Sequence, residues 1–316
     1  MREMRIKMKV VSLFAGIGGL DSGFIQNGYE VVWANDFDKY AVQTYQANYD
    51  NLIVLGDLNE IELDSIPLTD VIIGGFPCQP FSMMGELKGF EDTRGTLFFR
   101  IVEIINNQIE RGNKPKALVL ENVRNLKLHD NGNTFKVIKK TLEDFGYVVY
   151  DKILNSADYG IPQTRNRTFI VCFSNPNTVF EYPNEVKLKL TLQDLLETKV
   201  DKKYFLSDKI LPTILSNGTG GYKGKSEIDL KIARPLCATM AKMHRACQDN
   251  YVTQNGKVRR LTPRECARLQ GFSENFKIPV SDTQAYKQFG NAVTVNVATA
   301  VAYMVKRALI QNGEWK

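Results

Sequence analysis

Histidine is nearly missing from this chain, with two in 316 residues. Its five cysteines, Cys78, Cys172, Cys237, Cys247 and Cys266, are an odd number, widely scattered and without a C-x-x-C pair. These scarcities disfavour both a zinc site and a disulfide framework, so no metal is expected, and a reduced intracellular compartment fits best. Neither sign of charge dominates: 41 Lys and Arg face 35 Asp and Glu, a net charge of +6 that permits nucleic acid without demanding it. No window is expected to span a membrane. The opening "MREMRIKMKVVSLFAG" runs from basic residues through a short apolar stretch straight into glycine, unlike a signal peptide. Internal repeats and low-complexity tracts are also missing. What remains is a chain that is 43% hydrophobic, enough for one large domain and a smaller second one.

The first half alternates apolar runs with helical patterns: "KVVSLFAG", "GGLDSGFIQNG", "EVVWAND", "KYAVQTYQANY", "NLIVLGD" and "TDVIIGGFP". "KALVLENV" and "RTFIVCFS" continue the rhythm, with the helical "TFKVIKKTLEDFGY" between them. This predicts an α/β fold, a doubly wound and mostly parallel sheet whose uniformly apolar strands are covered on both faces. From about Pro176 to Val258 the texture changes to short mixed segments and a glycine-rich patch, "SNGTGGYKGKSE", which predicts a smaller second domain. In "RRLTPRECARLQGF", Thr262 can cap a helix, Pro263 suits its first turn and Glu265 completes a capping box. The last segment spaces Val293, Val297, Val301 and Val305 four apart, as a helix packed on a large partner would.

Chemistry gathers at the ends of the apolar runs. "FAGIGGLDSGF" is a glycine-rich turn between strand and helix, and Asp36 follows at the end of the next strand, where a carboxylate can hold a ribose. The spacing departs from G-x-G-x-x-G, which disfavours a pyrophosphate-bearing dinucleotide, and a tight structural turn remains an alternative. Asp57 ends the third strand. Acids at these two strand ends suit a ligand carrying ribose and adenine without phosphates, such as S-adenosylmethionine. The fourth strand delivers Cys78, within "GGFPCQPFS", to the same edge. A buried filler, a metal or disulfide partner, and a nucleophile compete for that thiol; Pro77 and Pro80 stiffen the turn around it. Glu121, in "LVLENV", ends another strand, and either caps the next turn or stands beside the thiol as an acid.

The ordered motifs "FAGIGG", "GGFPCQPFS", "ENV", "QTRNR", "RRLTPRECARLQGF" and "QFGNAV" cover nearly the whole chain and resemble the cytosine-5 DNA methyltransferases. "GFEDTRGTLFF" and "HDNGNT" resemble the bacterial restriction–modification members of that family. The resemblance implies a class I S-adenosylmethionine-dependent fold with a target-recognition domain. Cys78 is implied to attack carbon 6 of a cytosine flipped out of the duplex, so that carbon 5 takes a methyl group, and Glu121 to hold the ring nitrogen and exocyclic amine. Arg165 and Arg167 are implied to contact the flipped base and its phosphate; a surface ion-pair ladder is the alternative. For S-adenosylmethionine it implies Phe14, Gly16, Gly18, Leu20, Asp36, Phe37, Asp57, Leu58 and Pro77, with Asn291 and Val293 near the methionine end. Asp36 departs from the glutamate common at its position, and Met84 from a serine in some relatives. The loop from Ser82 to Phe99 is implied to close over the base, with Gly85, Gly89 and Gly95 as hinge points.

DNA is the expected partner, held by backbone contacts. Ser82, Lys88, Arg94, Arg165, Arg259, Arg260 and the lysines of "GGYKGK" are candidates, each basic one also readable as a solvated charge. His244, Arg245 and Gln248, in "PLCATMAKMHRACQDNYV", are candidates for reading bases, or lie on a helix surface. His129 reads as structural. The expected layout is a catalytic and cofactor-binding domain over 1–178, a target-recognition domain over 179–284, and a helix over 285–316 returning to the first. A cytoplasmic bacterial monomer, with a restriction endonuclease as possible functional partner, is the expected setting. Three rivals remain. A thiol hydrolase on Cys78 lacks a histidine in a recognisable partner motif. A catalytically silent DNA-binding homologue has no need of Cys78 and Glu121 together. A tRNA-methylating branch shares the catalytic core, but no Cys-Phe-Thr lies between "QTRNR" and "RRLTPREC".

Overall fold

Runs without charges become the interior of a sheet, because a strand covered on both faces has no place for a solvated side chain. The computed structural model describes residues 7–77, 97–217, 224–243 and 245–315. These form two compact units, one of residues 1–154, 166–184 and 298–316, the other of 155–165 and 185–297.

The first unit is built on seven strands: β1 Lys9–Leu13, β2 Glu30–Asp36, β3 Ile53–Leu55, β4 Val71–Gly75, β5 Ala117–Val123, β6 Val148–Asn155 and β7 Asn166–Phe173. Their order is β3-β2-β1-β4-β5-β7-β6. The pairs from β3 through β5 run parallel, while β7 runs antiparallel to β5. This is the doubly wound, mostly parallel architecture expected. The chain winds outward in both directions from β1 and β4, and such a reversal opens a crevice beyond the strands' carboxyl ends. Leu13 pairs with Gly74 there, which sets the turn after β1 beside the segment after β4. Only β6 was missed; Asp151 and Lys152 interrupt its apolar run, as an edge strand permits.

Helices α1 Gly19–Gln26, α2 Lys39–Gln46, α3 Leu97–Glu110 and α4 Asn133–Asp144 carry apolar faces onto this sheet. Ile101, Ile105, Leu118, Leu120, Ile138 and Ile170, all fully buried, form part of the core. The second unit holds short elements: α5 Leu211–Leu215, a hairpin of β8 Tyr251–Gln254 and β9 Lys257–Arg260, α6 Pro263–Leu269 and α7 Asp282–Asn291. Asn255-Gly256, at the hairpin turn, is the sequence signal that marks it. The capping box of α6 forms as expected: Glu265 N–H donates to Thr262 Oγ1 at 3.2 Å and Thr262 N–H to Glu265 Oε2 at 2.8 Å.

The segment 155–165 clusters with the second unit, although the expected boundary placed it inside the first domain. Its backbone supplies the reason, since Thr164 N–H donates to the Ala233 carbonyl at 2.9 Å and Ala233 N–H to the Pro162 carbonyl at 2.7 Å. The final apolar stretch is two helices, with α8 Val295–Gln311 beginning after a break at Ala292–Thr294. From Ala298 onward it belongs to the first unit, where Val301, Ala302, Val305 and Leu309 are fully buried. The region Asp282–Gln311 is long and apolar enough to cross a membrane by length and composition, contrary to the expectation of no such window. Half of its most apolar window is nevertheless buried within the protein.

Candidate active site

The turn after β1 carries the first group of candidates. Phe14 stands at φ 54, in the left-handed region that costs a side-chain-bearing residue about 1–2 kcal/mol. Gly16 follows at φ 57, and a Cβ placed on it would meet no atom of the described residues within 4 Å, so its backbone is open to an approaching ligand on that side. Gly16 N–H donates to Asp36 Oδ2 at 2.8 Å, and Asp38 N–H to Asp36 Oδ1 at 2.8 Å. One buried carboxylate thus ties the glycine turn to the end of β2. Phe37, next in the chain, is 70% exposed, a flat apolar surface beside that carboxylate. Asp57 is exposed at the end of β3, where its Oδ1 accepts from Asn59 N–H at 2.9 Å. An open glycine backbone, a strand-end carboxylate, an exposed aromatic ring and a second acid fit an adenine-and-ribose ligand.

Three cofactor candidates have structural tasks. A Cβ on Gly18 would lie 2.4 Å from the Tyr49 ring, and Tyr49 Oη donates to the Gly18 carbonyl at 2.9 Å; packing and a φ of 81 already demand glycine there. Leu20 and Leu58 are buried at 5% and 2% exposure, so only their backbones can serve a ligand. Pro77 is exposed just beyond β4. Asn291, exposed, and Val293, half-buried, lie in the second unit.

The second group stands at the ends of β4, β5 and β7. Register places Glu121 of β5 opposite Gly75 of β4 and Phe169 of β7, and Val123 opposite Arg167. Arg167 Nε then lies 3.0 Å from Glu121 Oε1, an ion pair whose acid is nearly buried and whose guanidinium is partly exposed. The 3-10 turn that follows β5, over Arg124–Lys127, has Val123 at its N-cap. Asn122 beside it is 1% exposed and donates through Nδ2 to the Phe76 carbonyl at 2.9 Å, so β5 fixes the chain two residues before position 78. Cys78 itself lies outside the described residues, as do Pro80, Ser82, Met84, Gly85, Lys88, Gly89, Arg94, Gly95 and His244.

Several basic candidates are committed elsewhere. Arg165, implied to contact base and phosphate, is 1% exposed and donates to the carbonyls of Leu236, Gly290 and Ala292 at 3.0, 3.0 and 2.9 Å. Arg259, a DNA-backbone candidate, is fully buried in a bidentate pair with Glu265 at 2.8 and 2.6 Å. A guanidinium spent on buried acceptors cannot also meet a phosphate from solvent. Arg260 stacks over the rings of Tyr204 and Tyr286. Arg245 donates to Ser216 Oγ at 2.9 Å, while Gln248 is exposed. Lys225 of the glycine-rich patch pairs with Glu227 at 2.9 Å. His129 is held by Thr134 Oγ1 at 2.7 Å, in keeping with a structural role. Among the described residues no group of three or more His, Cys, Asp or Glu could hold a metal.

Sequence reasoning also missed buried polar residues that brace these turns. Asp21 is fully buried beneath the glycine turn, accepting from Tyr45 Oη at 2.6 Å and Ser12 Oγ at 3.0 Å. Burial pushes its carboxyl up to about 6, against the pull of those two hydroxyls. Its signal was an acid inside an apolar helix face, "GLDSGF". Asn122 and Gln163 gave none beyond their place within motifs.

The model of the family described as "C-5 cytosine-specific DNA methylase" matches residues 8–307. The Type II methyltransferase M.NlaX of Neisseria lactamica is 42% identical over 315 residues, covering 95% of this chain and 97% of that one. The Type II methyltransferase M.SsoII of Shigella sonnei is 44% identical over 307 residues, with 94% and 79% covered. Among solved structures, the Entamoeba histolytica methyltransferase EhMeth superposes with a TM-score of 0.79 at 22% identity, covering 98% of this chain and 99% of that one, a likeness of fold.

Proposed function

From the premise that this chain belongs to the C-5 cytosine-specific DNA methylase family and is a DNA (cytosine-5-)-methyltransferase, we propose how its own residues carry the reaction. The observation that carries the reading is the Glu121–Arg167 pair at the carboxyl edge, with Glu121 directly opposite Gly75 of the strand that precedes Cys78. A cytosine ring accepts a nucleophile poorly until its ring nitrogen is protonated or hydrogen-bonded. Glu121 supplies that acid as the Cys78 thiolate forms a bond to carbon 6 and the electron pair of the 5,6 double bond moves into the ring. Such general acid assistance is worth about 10²–10⁴-fold. Arg167 orients the carboxyl group and offers positive charge beside the base.

S-adenosylmethionine, when bound, supplies an electrophilic methyl group for carbon 5. Gly16 would give that cofactor room for backbone contact, Asp36 would hold its ribose, and Phe37 with Asp57 would hold its adenine. A water-derived base then takes the carbon 5 proton, the 5,6 double bond re-forms as Cys78 leaves as thiolate, and the ring-nitrogen proton returns to Glu121. The target base leaves the duplex first, at a cost of a few kcal/mol, and the second unit carries sequence recognition. The names of the relatives support a Type II restriction–modification setting, and with it duplex DNA as substrate and a cognate endonuclease as functional partner.

The test is to incubate the purified chain with S-adenosylmethionine and a plasmid of diverse sequence, then map 5-methylcytosine by bisulfite sequencing. Protection confined to one short motif is expected. Absence of protected cytosines overturns the reading.

A further inference from the structure

The "QTR" of the "QTRNR" motif lies in the second unit, where it fastens one point of the backbone from both sides. Leu236 N–H donates to Gln163 Oε1 at 2.9 Å, and Arg165 Nη1 donates to the Leu236 carbonyl at 3.0 Å. Both side chains are buried, at 0% and 1% exposure, and both are braced against helix ends. Gln163 Nε2 donates at 2.7 Å to the carbonyl of Leu269, which ends α6. Arg165 Nη2 donates to the carbonyls of Gly290 and Ala292, where α7 ends. Gly290 closes the knot, since a Cβ there would lie 2.3 Å from the carbonyl carbon of Cys237 and from the Ala238 nitrogen. Buried hydrogen bonds that satisfy both polar groups of one residue fix it firmly, because any displacement strands a desolvated partner.

The chain leaves this anchor directly into residues 238–243, where Met240 N–H donates back to the Cys237 carbonyl at 3.1 Å. Little regular structure holds residues 238–243: they have one 3-10 turn, Met240–Lys242, and Met243 stands at φ 52. Arg245 and Ala246 are held from elsewhere, by Ser216 Oγ at 2.9 Å and the Ile214 carbonyl at 2.8 Å. A segment without a ladder of its own takes its position from where it is anchored. We infer that Gln163 and Arg165 are positioning residues for sequence recognition. They set the place from which residues 238–243 meet the base edges, and thereby tune which site is modified. Hydrogen bonds to base edges weaken steeply with distance and angle, so a small shift of the anchor blurs the reading. The inference rests on the proposed function, a sequence-specific DNA cytosine methyltransferase that reads bases with its second unit.

The test uses the full chain, the motif mapped for the wild type, and duplexes with one base pair of that motif changed. Gln163→Leu removes the clamp on Leu236, and Gly290→Ala pushes the same backbone from a different element, so a variant that fails to fold leaves the other informative. For each, kcat/KM on the mapped and altered duplexes is measured, together with Kd for S-adenosylmethionine. One wrong base pair ordinarily costs roughly ten- to a hundredfold. The expected result is that the ratio of mapped to altered activity falls about tenfold or more, while Kd stays within about twofold of wild type. Equal losses on both duplexes, with the ratio unchanged, overturn the inference and leave the residues a purely structural role. A wild type that modifies no DNA cytosine sinks the underlying reading instead.

Discussion

Arg167 Nε lies 3.0 Å from Glu121 Oε1 across the antiparallel pair of β5 and β7. Neither residue neighbours the other in sequence. Strand register alone brings them together, at the edge where β4 ends with Gly75 opposite Glu121. Glu121→Gln keeps the shape and some hydrogen bonding but removes the acid, so kcat is expected to fall by about 10²–10⁴-fold with Kd for S-adenosylmethionine little changed. Single-turnover methylation beside a cofactor titration measures both, and a variant within threefold of wild type in kcat removes the acid role.

Cys78→Ala is expected to abolish methyl transfer while leaving the melting temperature within a few degrees of wild type. A duplex with 5-fluorocytosine at the target should become covalently attached to the wild type in the presence of S-adenosylmethionine, because no carbon 5 proton is then available for elimination. Denaturing electrophoresis reads the adduct. Its absence would count against attack at carbon 6.

Gly16 and Gly18 separate binding from folding. A methyl group on Gly16 enters open space, so Gly16→Ala should weaken S-adenosylmethionine binding at a stability cost of about 1–2 kcal/mol for the left-handed backbone. On Gly18 it meets the Tyr49 ring at 2.4 Å, and Gly18→Ala should cost about 2–4 kcal/mol through strain and overpacking. Calorimetric titration and thermal melts check the contrast. Equal effects of the two variants on both quantities would contradict it.

Asp21 makes stability depend on pH in a stated direction. Its carboxyl is raised from 3.8 to about 6 by burial, so the native state holds the proton more tightly than the unfolded chain. The stabilising contribution is present in full below pH 3.8 and is lost as pH rises through about 6. The loss amounts to roughly 3 kcal/mol. Asp21→Asn mimics the protonated form and can still bond Ser12 and Tyr45. The variant should therefore gain stability relative to wild type between pH 4 and pH 7, measured as the difference in denaturant midpoint at matched pH. A difference that does not grow over that interval would refute the assignment.

Fold class and most strand positions were legible because apolar runs covered on both faces, glycine-rich turns and a capping box are local patterns, readable within a dozen residues. β6 escaped because an edge strand tolerates Asp151 and Lys152 in mid-run, and the β8–β9 hairpin because only Asn255-Gly256 marks it. Motif order supplied the candidate acid, cofactor turn and nucleophile, but residue type could not tell a guanidinium facing solvent from one buried on carbonyls. Arg165 and Arg167 stand two apart in one motif, yet the first holds three backbone carbonyls and the second pairs with Glu121. Gly16 and Gly18 read alike until the Tyr49 ring is placed. Sequence by itself determined which chemistry this chain carries, since a reaction needs particular functional groups and those are written in residue types. Tertiary structure decided which copies of each type are free to act, because burial and hydrogen-bond partners are set by segments far apart along the chain.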